Sequence, residues 1–375
     1  MSDDLKQKAK KYSTIRQNAS LTESVLKFIL LTVFIISGYS KYLENILSGF
    51  TDNVYMILIM YLFVIIMINS VIFFPYDYYF GFKLEHRFGL SNQSFSQWMK
   101  EKFKAFLLGI IITLPLILIF YYLISVTDLW WLYTAMVVSF YSVVLAQLAP
   151  VLIFPLFYKF KPLENENLRE KIISLCNKNN FRVSGVYSFN LSKSTKKANA
   201  AFTGFGRTKR IILADNLLNN FTDDEIITVF AHELGHYRKG HLLKNLLLSL
   251  VLIFTTFYIS NVLYKLLLPV FGFSASYEIA ALPLLALIMA LLSFLFSPLS
   301  SYISRKFEFE ADRFALETTL NIDSFRSTFS KLTETNLADE EPNKFVEFWF
   351  HSHPSVKRRI EKASDIAGEL GLRKA

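Results

Sequence analysis

Six long apolar segments dominate the first 300 residues of the chain and alternate with short or polar connections. Each is close to the roughly 20 apolar residues that a helix needs to cross the hydrocarbon core of a bilayer. They lie at about 25–43, 54–74, 106–126, 131–153, 244–266 and 279–300. Six such helices would be unusual in soluble cores, so the pattern predicts an all-α polytopic membrane protein with about six transmembrane helices.

The polar stretch between the fourth and fifth segments has the patterns of a folded α+β insertion. Residues 165–179 are spaced as in an amphipathic helix, and 200–205 and 209–214 read as two strands joined through 206–208. Thr222 and Glu225 form a capping box that begins a further helix. The predicted organisation has four parts: N-terminal membrane helices at 1–155, the insertion at 156–242, two membrane helices at 243–300 and a C-terminal region at 301–375.

Composition agrees with the membrane prediction. Of the 375 residues, 53% are hydrophobic and only 19% are charged, which is too apolar for an ordinary soluble domain. We therefore expect the lipid bilayer to be a partner. The single cysteine, Cys176, allows no intrachain disulfide, and nothing near it in sequence marks it as a nucleophile.

The distribution of Lys and Arg predicts the orientation. Three connections contain neither residue, at 44–53, 127–130 and 267–278, and we call them the outer connections. The other polar segments, 1–24, 75–105, 156–242 and 301–375, contain 36 of the 40 basic residues. By the positive-inside rule, both termini and the insertion are cytoplasmic, in a plasma or inner membrane or in the endoplasmic reticulum depending on the host. Topology thus explains the net charge of +9, and we expect no nucleic-acid partner.

Candidate chemistry begins with the stretch Ala231-His232-Glu233-Leu234-Gly235-His236. Histidines four apart lie on one face of a helix, where both imidazoles can bind one metal ion. Glu233 is placed to act as general base on a water molecule at that ion. This is the H-E-x-x-H pattern of zinc peptidases, and it predicts one Zn2+ per chain.

A third ligand is expected from Glu308 and Asp312, which are also four apart on a predicted helix. One carboxylate can bind the metal while the other accepts the free N–H of a ligand histidine. Glu310 points about 160–200° away from both, so we reject it as a ligand and expect its removal to be nearly silent. His241 lies about 140° round a helix from His236 and is predicted to be off the zinc face. The alternative interpretation of the acidic run is a solvated helix face.

Several further stretches occur together with this constellation. They are Glu85 to Gly89, Ala149-Pro150, 156–163, Asn199 to Phe205, Gly240-His241, Glu308 to Asp312, His353-Pro354 and Arg359. In this combination and order, from about residue 75 to 360, the chain resembles the integral-membrane zinc peptidases typified by CAAX prenyl protease 1. The motifs are more specific together than the zinc motif alone. Eukaryotic members have seven spans, and the first span here corresponds to their second. We therefore expect this chain to lack the N-terminal helix of those members. Any chamber that this helix helps to close is then expected to be more open.

The resemblance assigns roles to individual residues. It implies that Glu308 is the third zinc ligand with Asp312 orienting a ligand histidine. It also implies that His353 and Arg359 stabilise the oxyanion of the transition state. Asn199 and Ala200 match the strand that binds substrate, although Asn199 could equally be a turn residue, and His353-Pro354 could instead cap a C-terminal helix.

The function implied by the resemblance is that of a metalloendopeptidase with a cytoplasmic zincin-like α+β catalytic region. Its substrates would be peptides or proteins that are prenylated or membrane-anchored, with prenylated CAAX proteins cleaved behind the lipidated cysteine. Two alternatives remain open at this point. One is a quality-control peptidase that degrades misfolded membrane proteins, and the other is a non-catalytic membrane protein with a structural zinc.

Overall fold

The computed structural model describes residues 3–203 and 210–372, and for 202 and 203 only the backbone. The predicted strand ends at 204–205 and 209, with the turn between them, lie outside the described residues. Within the described ranges, six helices are long and apolar enough to cross a membrane, which confirms the polytopic prediction. The part before the sheet folds into α1 (Asp3–Ile36), α2 (Tyr39–Ser48), α3 (Val54–Asp77), α4 (Leu84–Arg87), α5 (Phe95–Val126), α6 (Trp130–Leu148) and α7 (Phe154–Phe157).

The first membrane helix differs from its prediction at both ends. The polar segment 1–24 is helical from Asp3 and forms the first turns of α1, and α1 ends at Ile36 rather than at residue 43. Gly38 adopts the left-handed conformation with φ 78°, which glycine tolerates without a steric penalty, and α2 then begins at Tyr39. The helix break therefore places Lys41 on α2, beyond the membrane helix, where its ammonium contacts the carbonyl of Gly272.

Two membrane helices continue past their predicted ends through π-helical turns. The turn Tyr78–Lys83 joins α3 to α4, and the turn Ala149–Ile153 joins α6 to α7. Pro150 lies in the second turn, where its missing N–H interrupts the regular α-helical hydrogen bonds.

A four-stranded sheet forms the centre of the region between the membrane helices. Its strands are β1 (Phe160–Pro162), β2 (Gly185–Phe189), β3 (Ala200–Thr203) and β4 (Arg210–Ala214), in the order β1-β2-β4-β3. The predicted pair β3 and β4 is antiparallel, with Ala200 opposite Leu213. The parallel partner β2 and the short β1 were not predicted. The order leaves β3 at one edge of the sheet.

Helices cover the sheet and then lead back to the membrane. They are α8 (Glu166–Lys178), α9 (Asp215–Asn220), α10 (Asp223–Arg238) and α11 (His241–Leu267). The core between them contains fully buried Ile172, Leu213 and Phe230 from α8, β4 and α10. The helix α10 carries the predicted zinc motif.

The longest helix, α12 (Leu282–Thr319), continues from the last predicted span into the region of the site. Its 38 residues make it roughly 57 Å long, well beyond the roughly 30 Å hydrocarbon core. If about 20 residues cross the core, Glu308 lies roughly 10 Å beyond the membrane-crossing part. Three C-terminal helices follow, α13 (Ile322–Asn336), α14 (Lys344–Phe350) and α15 (Val356–Glu369). The helices α14 and α15 pack on α12, and α13 packs on α10 and α15.

Candidate metal centre

The capping box predicted at the start of α10 is present. The backbone N–H of Thr222 donates to Glu225 Oε2 at 2.8 Å, and the backbone N–H of Glu225 approaches Thr222 Oγ1 at 3.4 Å. Glu225 is buried and also accepts from Lys331 Nζ at 2.8 Å and from the Ser327 hydroxyl, both on α13. Burial opposes the charge of Glu225, but these hydrogen bonds hold its pKa below the ordinary value. The N-terminus of α10 is thereby fixed to α13.

A close approach of α10 to α12 brings the two halves of the site together. A Cβ atom added at Gly235 would lie 3.0 Å from Cα of Ala311, a separation that real Cβ contacts do not tolerate without movement. A larger residue at this position, between His232 and His236, would require the backbone of α12 to move by a few tenths of an ångström, so glycine suits this contact. The approach places Glu308 of α12 opposite the histidines of α10.

The three predicted ligands form one group of donor atoms. Nε2 of His232 lies 3.1 Å from Nε2 of His236, and the carboxylate oxygens of Glu308 lie 3.4 and 3.3 Å from these nitrogens. Tetrahedral ligands at about 2.05 Å from a shared zinc ion would be roughly 3.3 Å apart. The spacing and chemistry of the donors therefore fit a zinc ion.

Glu308 Oε2 gives a second indication that this group of side chains suits a cation. This oxygen is buried without a well-aligned hydrogen bond. Three nitrogens lie around it, from His353 Nδ1 at 3.0 Å, Arg359 Nη1 at 3.3 Å and His232 Nε2 at 3.4 Å. A metal ion bound between Glu308 and the histidines would satisfy this acceptor.

Asp312 and Arg359 form a buried pair behind the first histidine. Asp312 accepts from His232 Nδ1 at 2.9 Å and from two nitrogens of Arg359 at 2.5 and 2.8 Å. Burial opposes a proton on His232, but its hydrogen bonds to Asp312 and Glu308 raise its pKa to about 9. Because only the neutral imidazole can bind a metal through Nε2, metal affinity would fall as the pH falls. Arg359 also lies over the ring of Phe329, with Cζ 4.1 Å from the centroid.

A cavity of about 170 Å³ opens beside the ligands. Its walls include Glu233, Asn199, Ala200 and His353, so every remaining residue predicted for catalysis or substrate binding lies at or next to the ligand group. Burial raises the pKa of Glu233 above its ordinary value, opposed by the nearby histidines. The His353 side chain is 64% exposed.

His241 and Glu310 both lie outside the ligand group, as predicted, but each has a contact that helical geometry did not predict. His241 is not remote from the site, because its Nδ1 lies 3.0 Å from Nδ1 of His236. The geometric prediction assumed one continuous helix, but α10 ends at Arg238 and Gly240, with φ 67°, redirects the chain. Glu310 lies outside the ligand group, as predicted, yet it contacts Nε2 of His241 at 3.0 Å. The glycine before His241 was the available sign of the helix end.

Fold and site together define a class of protein, the integral-membrane metallopeptidases. The family model described as "Peptidase family M48" matches residues 162–367, and the model described as "CAAX prenyl protease N-terminal, five membrane helices" matches residues 1–159. The chain belongs to peptidase family M48. It is a membrane-embedded metallopeptidase, so the non-catalytic alternative is not retained.

Sequence similarity to known proteins extends over most of the chain. It is 32% identical over 360 residues to the "Uncharacterized metalloprotease YhfN" of Bacillus subtilis, covering 95% of this chain and 84% of that protein. It is 29% identical over 334 residues to the "CAAX prenyl protease 1 homolog" of Homo sapiens, covering 76% and 69%. The crystal structure of S. mikatae Ste24p has the same fold, with TM-score 0.83, 24% identity and coverage of 97% of this chain and 89% of that one.

Proposed function

We propose that the chain is a zinc endopeptidase that hydrolyses protein substrates at the cytoplasmic face of its membrane. The observation that carries this proposal is the grouping of His232, His236 and Glu308 beside Glu233, just beyond the membrane-crossing part of α12. Two imidazoles and one carboxylate are a donor set of catalytic zinc sites, which keep a fourth position open. Zinc held there would supply a Lewis acid and lower the pKa of water.

In this proposal Glu233 removes the proton from the attacking water and later delivers it to the leaving amine. Its raised pKa suits both transfers, because a base whose pKa is nearer the working pH accepts and returns a proton more evenly. The half-buried position of Glu233 at the cavity wall keeps it within the space where water and substrate must meet.

The edge strand β3 is the proposed binding surface for the substrate backbone. Within the described residues β3 pairs only with β4, so its other side is available to an extended peptide. The side chain of Asn199 accepts the N–H of Ala200 at 2.9 Å, which shapes the start of this strand. We assign Asn199 to that shaping role and Ala200 to pairing with the substrate.

His353 and Arg359 receive different roles. His353 is exposed at the cavity, and we assign it to stabilising the oxyanion that develops on the scissile carbonyl. Arg359 is buried, and its nitrogens are engaged by Asp312 and Glu308. We therefore assign Arg359 to holding these carboxylates in place, rather than to direct contact with substrate.

The cytoplasmic location of the site rests on the charge pattern. The outer connections contain no Lys or Arg, whereas the segments that build the site are rich in both. Two basic residues lie near the outer connections. Lys41 has its ammonium against the Gly272 carbonyl and 4.8 Å from the ring centroid of Phe273, and Lys265 pairs with Asp128 at 3.0 Å.

For the substrate we propose proteins with a prenylated C-terminal CAAX motif, cleaved behind the lipidated cysteine. The names of several relatives support this class, as does a site that lies roughly 10 Å from the membrane-crossing part of α12. A lipid in the bilayer could then hold the substrate while its C-terminal peptide reaches the zinc.

The test is mass spectrometry of products from three substrates given to the purified chain: a prenylated CAAX peptide, the same peptide without the lipid, and an unfolded membrane protein. The Glu233→Gln variant is the matched control for each. We expect one cut, behind the lipidated cysteine, and a strong preference for the prenylated peptide. Cleavage of the unfolded membrane protein at many positions, with the prenylated peptide left intact, would replace this substrate class with quality-control proteolysis.

A further inference from the structure

His241 is a buried histidine that the proposed reaction does not use. It is only 1% exposed, and its ring stacks on Phe307 with centroids 4.2 Å apart and planes 9° from parallel. Both of its nitrogens nevertheless have polar partners. Nδ1 lies 3.0 Å from Nδ1 of His236, and Nε2 lies 3.0 Å from Oε2 of Glu310.

The contact between the two histidines fixes where the hydrogen atoms lie when His236 binds a metal. The metal takes the lone pair on Nε2 of His236, so the hydrogen of the neutral ring is on Nδ1. That N–H must donate to Nδ1 of His241, which therefore has a lone pair and carries its own hydrogen on Nε2. The Nε2–H of His241 then donates to the carboxylate of Glu310.

The arrangement parallels the one at the other ligand histidine. His232 donates its Nδ1–H directly to Asp312, whereas His236 reaches a carboxylate through one intervening ring. We propose that His241 and Glu310 are positioning residues for the metal ligand His236, fixing the orientation and tautomer of its ring. The proposal rests on the zinc site of the proposed function, and wild-type zinc binding tests that site separately.

The experiment measures zinc affinity of the purified full chain by competition with a fluorescent chelator, alongside the thermal unfolding midpoint of the metal-free protein. His241→Phe keeps an aromatic ring against Phe307 and removes both nitrogens. We expect it to weaken zinc binding by about 10–100-fold, the usual cost of losing a partner of a ligand histidine. His241→Asn can place its amide oxygen near the Nδ1 position, so it should recover part of this loss.

Because Glu310 contacts His241, Glu310→Ala should also weaken zinc binding, in place of the nearly silent effect expected from helical geometry alone. Two matched controls accompany it. Glu317→Ala removes a carboxylate of the same helix that pairs with Arg313 on the surface, and it should leave the affinity unchanged. Lys244→Ala removes the cation 4.0 Å from Glu310 and should also be silent. If Glu310 acted only through its charge, Lys244→Ala would strengthen zinc binding by about as much as Glu310→Ala weakens it, and that result would overturn the proposal.

The double variant His241→Phe/Glu310→Ala decides whether the two residues act in series. If Glu310 acts only through His241, the double variant binds zinc as His241→Phe does, with no further loss. The proposal would be overturned if the double variant lost zinc affinity by the product of the two single-variant factors, or if His241→Phe bound zinc as tightly as the wild type. A purely structural role for His241 would give a different result. His241→Phe and His241→Asn would then lower the unfolding midpoint of the metal-free protein equally, and they would lower zinc affinity equally as well. Failure of the wild-type chain to bind zinc would instead refute the proposed function.

Discussion

Replacing Asp312 by Asn removes one oxygen from the most densely bonded carboxylate of the metal centre. Oδ1 accepts from His232 Nδ1 and Arg359 Nη2, and Oδ2 accepts from Arg359 Nε. An amide has a single acceptor oxygen, so its NH2 group must face either the Nε–H of Arg359 or the two donors at Oδ1. At least one charge-assisted hydrogen bond is lost, and two donors are brought together.

The geometry gives expected magnitudes for the loss of stability and for the loss of zinc affinity. Asp312 is 2% and Arg359 7% exposed, so the substitution removes one of the two carboxylates that pair with a buried guanidinium and leaves only Glu308, which costs up to about 3–5 kcal/mol of stability. Weaker support of His232 should lower zinc affinity by about 10–100-fold, or roughly 1.4–2.8 kcal/mol.

The assay compares zinc affinity and metal-free thermal unfolding for Asp312→Asn and a matched control. The control is Asp323→Asn, which removes an exposed carboxylate 3.9 Å from Arg326 and should change stability by less than about 0.5 kcal/mol. Asp312→Asn with the zinc affinity and unfolding midpoint of the wild type would refute the assigned role of the buried pair.

Three further substitution experiments test the catalytic roles and the topology. Glu233→Gln should keep its zinc and fold and lose at least about 10²-fold in activity, and near-normal turnover would remove Glu233 from the reaction. His353→Ala should lower kcat by about 10²–10³-fold with zinc retained, whereas a loss of stability alone would favour its role as a helix cap. In a Cys176→Ala chain, cysteines in the outer connections should react with an impermeant thiol reagent added outside intact cells, or from the lumen of an organelle. Cysteines placed after residue 301 should not react, and the reverse pattern would contradict a cytoplasmic site.

Local periodicity was sufficient for the parts of the site that lie within one helix. Histidines at 232 and 236 and carboxylates at 308 and 312 each share a face because a helix repeats every 3.6 residues, and the structure places them accordingly. The same argument does not apply to His241, because the helix ends before it; His241 is outside the ligand group, as predicted, but contacts His236. Periodicity is informative only as long as the helix continues.

Contacts between distant segments could not be predicted from spacing. The parallel pairing of β2 with β4 joins residues about 25 apart in sequence, and neither strand carries a local signal of its partner. The burial of Arg359 against Asp312 likewise depends on how α15 packs on α12. The resemblance pointed to Arg359 as a site residue, but only the packing shows that its guanidinium nitrogens pair with the carboxylates of Asp312 and Glu308.

The close contact of α10 with α12 depends both on a residue within one helix and on the packing of two distant segments. The sequence shows Gly235 only as a weak helix former, whereas the structure shows that a Cβ atom there would come within 3.0 Å of the backbone of Ala311. We infer that Gly235 sets the distance between the histidines and Glu308. The residue pattern of a single helix does not predict this distance.

The most direct test of the central claim is X-ray diffraction from crystals of Glu233→Gln protein, recorded just above and just below the zinc absorption edge. The account predicts one anomalous difference peak per chain that vanishes below the edge, at about 2.0–2.2 Å from Nε2 of His232, Nε2 of His236 and a carboxylate oxygen of Glu308. A zinc peak elsewhere in the chain, or none in zinc-supplemented crystals with these three side chains ordered, would contradict it.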